Sequence, residues 1–167
     1  MNEKNKYIKW LLWLPSVIMM IIIYVFSAKP AEISAATSSP IADMILRVWE
    51  AIFGNIDILR RPSVLDTMDF IVRKAAHITE YAILAICINL GLLNYQMKEK
   101  KRFFIALIVS ILYASTDEYH QTFVEGRSGS IRDVGIDSIG VLIGCFSFLL
   151  IVRCIRKKRK KIANNSN

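Results

Sequence analysis

Four apolar runs, each ended by charge, constrain this chain more than any other feature. The first, "IKWLLWLPSVIMMIIIYVFSA" at 8–28, carries no charge after Lys9. The others lie at about 73–95, 103–121 and 131–153. A helix rises about 1.5 Å per residue and a bilayer's hydrocarbon core is about 30 Å thick, so runs of this length predict membrane spans. At 54% hydrophobic residues over 167 positions, the chain is too apolar for an ordinary soluble domain and too long for one span. The expected fold is all-α: an integral membrane four-helix bundle forming a single domain over 1–167, with a basic tail at 154–167. The first run is expected to be an uncleaved helix. It is long for a signal peptide, and Phe26 spoils a small-x-small cleavage site at Ala28.

The net charge of +8 raises nucleic-acid binding as a possibility, but the placement of the charge excludes it. Lys4, Lys6 and Lys9 precede the first run. Lys98, Lys100, Lys101 and Arg102 separate the second from the third, and "RCIRKKRKK" (153–161) follows the fourth. Basic blocks of this kind mark cytoplasmic ends. Both termini and the 96–102 loop are therefore expected in the cytoplasm, with 29–72 and 122–130 outside. The tail reads as an anchor for anionic membrane lipid. Residues 29–72 hold four Lys/Arg and six Asp/Glu, which suits the outer side. Cys87, Cys145 and Cys154 show no paired framework and predict no disulfide.

Within the outer loop, "AEISAATSSP" (31–40) is small and polar and reads as irregular, with Pro40 starting a helix. Ile41, Met44, Ile45, Val48, Trp49, Ile52 and Phe53 recur at helical spacing and predict an amphipathic helix closed by Gly54. That helix either packs on the bundle, the preferred reading, or lies on the membrane surface.

The uncharged parts of the last three runs are 82–97, 103–116 and 138–152. As helices these measure about 24, 21 and 22 Å. Each starts at the cytoplasmic face and stops short of the outer one, so the polar residues at the three ends fall at one depth. Ionisable groups there cost roughly 2.5 kcal/mol or more each near mid-membrane, and must face one another or a wet cavity. His77, Glu80 and Tyr81 share a helix face, with Arg73 and Lys74 one turn earlier. Asp117, His120 and Gln121 repeat the pattern, beside Glu118. Asp133 and Asp137 stack at i, i+4 and call for donors from Arg127, Arg132, Arg73 or Lys74. Gly140 and Gly144 form a GxxxG surface for close helix approach. The expectation is a polar cup in the outer leaflet. The alternative is a buried ion-pair network that only fixes packing, which needs fewer members.

"RKAAHITEYAIL" (73–84) followed by "DEYHQTFVEGRSGSIRDVGIDSIGVLIG" (117–144) resembles the VanZ-like family of bacterial membrane proteins, over roughly residues 16–152. The positions matching the family motifs are Lys74, His77, Glu80, Tyr81, Asp117, Glu118, Gln121, Arg127, Asp133, Asp137 and Gly140. At Asp137 many relatives carry Asn. The resemblance implies a role in low-level resistance to the lipoglycopeptide teicoplanin, without a settled reaction.

Two functions compete. One is an envelope protein whose cup binds a lipid-linked envelope precursor or a lipoglycopeptide, with basic residues holding a phosphate. The ligand-binding set is then Arg73, Lys74, His77, Glu80, Tyr81, Asp117, Glu118, His120, Gln121, Arg127, Asp133 and Asp137. The other is an enzyme acting on a lipid-linked substrate, with His77 or Glu80 as base, Asp117 or Glu118 as acid, and Arg127 stabilising negative charge. No GxSxG, Walker or HExxH motif is present. "HITE" and "DEYH" each pair a His with a carboxylate at i, i+3, a spacing seen in helical metal sites, but hydrogen-bonded His is the commoner meaning, and no metal or other cofactor is assigned. A channel is disfavoured because the cytoplasmic halves of the spans lack ionisable residues. The oligomeric state is not legible.

Overall fold

A computed structural model describes residues 10–165, so the basic residues Lys4, Lys6 and Lys9 and the start of the first run lie outside the described residues. The described chain is all-helical: α1 (Leu14–Ser27), α2 (Ala31–Phe53), α3 (Arg61–Gly91), α4 (Glu99–Gln121) and α5 (Ile131–Asn165), with a 3-10 turn at Leu92–Asn94. Prolines sit in the first turns of α1 and α3, where the missing N–H costs no helical bond.

α3 is the hub. It touches every other helix, and its contact with α5 is the most extensive in the molecule. Tyr81, Leu84, Ala85 and Ile88 of α3 pack with Ile23 of α1, Ala106 and Ala114 of α4, and Val141 and Cys145 of α5. The α3–α5 seam rests on the glycine pair. A Cβ built at Gly140 runs into the carbonyl oxygen of Ile78, and one at Gly144 into that of Ala82. Both obstacles are backbone atoms that cannot swing aside. Gly140→Ala and Gly144→Ala are each expected to cost about 1–3 kcal/mol, the usual penalty of overpacking. Gly135→Ala, which meets nothing within 4 Å, is expected to be neutral. Thermal unfolding of the purified protein checks this. A Gly140→Ala protein that melts with wild type would mean the seam is looser than the backbone contact implies.

At the start of α4, Glu99 is held by Arg153 and Arg156 of α5. The α5 helix continues through the basic tail rather than ending near 153.

Among the described residues two helices, Arg61–Asn94 and Ile131–Asn164, are long and apolar enough to cross a membrane. The number becomes three when α1 and α2, bent by 102° at their junction, count as one span. Thus α4 does not reach that threshold on length and composition, because Asp117, Glu118 and His120 shorten its apolar run. By length and composition the helices that do reach it are those of a membrane protein, and among the described residues they number fewer than the four spans expected.

The outer loop differs from expectation. Residues 31–40 are helical, and Pro40 lies inside α2 rather than at its start. A proline in a helix interior removes one backbone bond and is costly in isolation. Here tertiary contacts hold the helix through it. Ser38, 7% exposed, donates to Asp69 Oδ1 of α3 at 2.5 Å, and Ser39 reaches the same oxygen at 3.2 Å. α2 ends at Gly54, as expected. Its Asp43 and Glu50 side chains turn to Arg61 at the start of α3, at 3.0 and 3.4 Å, while Met44, Val48, Trp49, Ile52 and Phe53 face outward.

Candidate functional site

The polar ends of α1, α3 and α4 meet at Asp117. Its Oδ2 accepts hydrogen bonds from Ser27 Oγ at 2.7 Å, Tyr81 OH at 3.0 Å and Gln121 Nε2 at 3.1 Å. Each donor comes from where the sequence changes from apolar to polar. Asp117, Tyr81, Gln121 and Ser27 are all buried, so this carboxylate is a fully enclosed acceptor.

Above it runs the α4–α5 loop, 122–130. Gly129 lets this loop fold onto α4, since a Cβ there runs into the carbonyl oxygen of Glu118. The fold-back brings the Ser130 N–H to Glu118 Oε2 at 3.0 Å, which satisfies a buried carboxylate. The same loop carries Arg127. Its Nε donates to the Lys29 carbonyl at 2.9 Å, Nη1 to Gln121 Oε1 at 3.3 Å, and Nη2 to the Phe26 carbonyl at 3.2 Å. All three acceptors are neutral. Burial pushes the guanidinium's pKa down from its usual value, with Asp117 acting in the opposite direction. Arginine stays charged through such shifts, so a cation is held in place without a salt bridge to any of the described residues.

Two adjoining cavities open beside Arg127, of about 240 and 190 Å³, and share Ser34, Arg73, His77 and Arg127 in their walls. The larger also meets Lys29, Glu80, Phe26, Ile41, Val72 and Ala76. The smaller also meets Lys74, Gln121 and Asp133. Together they form one basin roofed by α2 and the 122–130 loop, its larger cavity walled mostly by apolar groups and its smaller mostly by polar ones.

Of the twelve residues singled out from sequence, Arg73, Lys74, His77, Glu80, Gln121, Arg127 and Asp133 line this basin. Tyr81, Asp117, Glu118 and Asp137 are buried rather than lining it. His120 stands apart: its ring lies 4.9 Å from that of Tyr24 on α1. The stacked carboxylates take fewer donors than expected. Lys74 pairs with Asp133 at 2.7 Å, and Arg73 pairs with Asp69 at 3.3 Å. Arg132 is exposed, and Asp137 Oδ2 is buried without a hydrogen-bond partner. Among the described residues no three His, Cys, Asp or Glu side chains gather closely enough to hold a metal ion. The "HITE" and "DEYH" pairs do not converge, because His120 turns to Tyr24 while His77 faces the basin.

Sequence reasoning missed Ser27, Lys29, Ser34, Ser38 and Asp69. A signal was present. Ser34, Thr37 and Ser38 recur at i, i+3 and i+4, the polar face of a helix, in a stretch taken as irregular.

No curated protein and no solved structure matches the chain. The family model described as VanZ/LLP1 matches residues 12–153, which include the basin, the Asp117 cluster and the glycine seam, and the chain belongs to this family, the VanZ-like group that its motifs resemble.

Proposed function

We propose that this chain is a single four-span domain of the bacterial cell envelope whose outer-leaflet basin binds an anionic, lipid-linked or lipoglycopeptide ligand. The observation that carries this reading is Arg127, a guanidinium fixed by three neutral acceptors and, among the described residues, in no salt bridge. Such a cation is oriented before a ligand arrives, and two of its five N–H donors remain for ligand oxygens. Counting α4 as a span makes four. Its 23 residues measure about 34 Å, and its polar end is covered by Ser27, Tyr81 and Gln121 rather than by lipid.

Basic residues at 98–102 and 153–161 support cytoplasmic termini. A membrane-impermeant thiol reagent applied to intact cells is expected to label a cysteine placed at the exposed Ser128 and to spare one at Ala163. Labelling at Ala163 would move the basin to the inner leaflet.

Family membership supports a role in teicoplanin resistance. Expression is expected to raise tolerance to teicoplanin more than to vancomycin. The two drugs share a peptide-binding core, and only the first has a lipid tail that engages the outer leaflet. Equal protection against both, or protection against neither, measured as minimum inhibitory concentrations, would sink this reading.

A second reading, an enzyme at the same basin, draws on His77 and Glu80. They lie at i, i+3 in the wall of the larger cavity, and His77 Nδ1 is buried with no hydrogen-bond partner. An unengaged imidazole beside a carboxylate is a suitable proton acceptor for a bound lipid-linked substrate.

A further inference from the structure

The larger cavity has two kinds of wall. Arg127, Lys29 and Arg73, the last paired with Asp69, supply positive charge beside the carboxyl group of Glu80, whereas Phe26, Ile41 and Val72 supply an apolar face. Phe26 and Ile41 belong to the outside as well, being 45% and 48% exposed. The apolar wall is therefore a rim that opens onto the surface presented by α1 and α2. That surface is continuous with apolar residues along both helices, Ile22 and Val25 on α1 and Ile45 and Val48 on α2. α2 turns 102° away from α1. If α1 crosses the bilayer, α2 then runs along the leaflet, its apolar side in the acyl region and its polar side on α3. An amphipathic helix so oriented lies in the interface rather than in water.

From these walls we infer, on the anionic-ligand reading above, that the occupant is a membrane amphiphile with a phosphate-bearing headgroup: the headgroup sits on Arg127, and an acyl chain leaves sideways between Phe26 and Ile41 into the outer leaflet. A cavity of about 240 Å³ is below the roughly 300–1,000 Å³ that encloses a drug-sized ligand, so a lipid enters only by its head. Charge selects the head. Among the described residues neither Arg127 nor Lys29 forms an ion pair, the Lys29 Nζ lying over the Phe26 ring at 4.7 Å. The cation thus stands at the junction of the polar pocket and the apolar rim, where a lipid's phosphate meets its glycerol and chains. A soluble phosphate uses the cations and leaves the rim idle.

The test is native mass spectrometry of the detergent-purified full chain with four probes: a long-chain phosphatidylglycerol, the matching phosphatidylcholine, glycerol 3-phosphate and inorganic phosphate. Phosphatidylglycerol is expected to be retained at least tenfold better than each of the other three. Ile41→Trp, which fills the rim, is expected to lower that retention at least tenfold. Val72→Trp, from the α3 side of the same rim, is expected to do likewise, while Ile52→Trp, on the outward face of α2, leaves it unchanged. Melting temperatures show that the variants are folded. Retention of glycerol 3-phosphate or phosphate equal to that of phosphatidylglycerol would overturn the lipid assignment and leave the anionic basin standing. Equal retention of phosphatidylcholine would overturn selection by charge. Undiminished retention in both folded rim variants would overturn the sideways exit. If wild type retains none of the probes, this inference and the anionic-ligand reading fall together.

Discussion

Arg127→Lys is expected to abolish protection against teicoplanin while the protein stays in the membrane near wild-type amounts. The substitution keeps the charge and removes the plane. A lysine ammonium cannot donate at once to the Lys29 carbonyl, the Phe26 carbonyl and Gln121 Oε1, which lie on different sides of the guanidinium. The cation then loses its orientation, and the two N–H groups left for a ligand are no longer presented together. Losing a charge-assisted contact of this type costs about 1.5–3 kcal/mol. In ligand affinity that is a factor of roughly ten to more than a hundred. The fold suffers less. Arg127 is only half-buried, and the carbonyls it leaves can turn to water in the basin. Minimum inhibitory concentrations and quantified membrane protein separate the two effects. A variant that disappears from the membrane would make Arg127 a structural brace. One that accumulates and protects normally would remove the basin from consideration.

Asp117→Ala is expected to do the opposite and lower the amount of folded protein. Ser27, Tyr81 and Gln121 all donate to one oxygen of this 4% exposed carboxylate. Truncation leaves the buried Ser27 and Tyr81 hydroxyls with no acceptor, at about 1–3 kcal/mol each, while Gln121 Nε2 keeps its bond to Ser27 Oγ at 3.3 Å. Against a typical total stability of about 5–15 kcal/mol, that is a large fraction. Asp117→Asn retains an acceptor oxygen but places an amide N–H₂ among existing donors, and is expected to fall between alanine and wild type. His77→Ala is the contrast. His77 faces the basin with an unbonded Nδ1, so its loss is expected to leave abundance unchanged. Thermal unfolding and membrane abundance of the three variants check the ranking. If Asp117→Ala melts like wild type, the three-donor cluster contributes nothing to the fold.

The contrast between these variants separates what was legible in the sequence from what was not. Apolar run length and period 3.6 are local properties. They placed α4 within a few residues of where it stands, whereas α3 begins well before the expected 73 and α5 runs well past 153; they also put Lys74, His77, Glu80 and Tyr81 on one side of α3. The similar lengths of the three uncharged runs placed their polar ends at one depth, and Tyr81 and Asp117 do meet there. The GxxxG spacing identified the face on which α5 approaches α3.

Local patterns do not say which faces meet. Asp117 and Glu118 are neighbours in sequence, yet one is the acceptor of a three-helix cluster and the other receives a loop N–H. His120 and Gln121 looked equivalent to Asp117 on spacing alone, and packing sent the first to Tyr24 and the second into the cluster. Residues 31–40 read as irregular because Ser, Thr and Pro are poor interior helix residues. They are helical because Ser38 and Ser39 find Asp69 about thirty positions away.

The sequence by itself determined that the chain is helical, that its apolar segments suit a membrane, and that charge gathers at one end of them. Only the tertiary structure decided which charges are spent on one another and which remain free. Asp133 takes Lys74 and Asp69 takes Arg73, while Arg127 reaches back about a hundred residues to backbone carbonyls at the end of α1. An ion pair depends on distances of a few ångströms between groups far apart in the chain, and such distances are set by the packing of all five helices together.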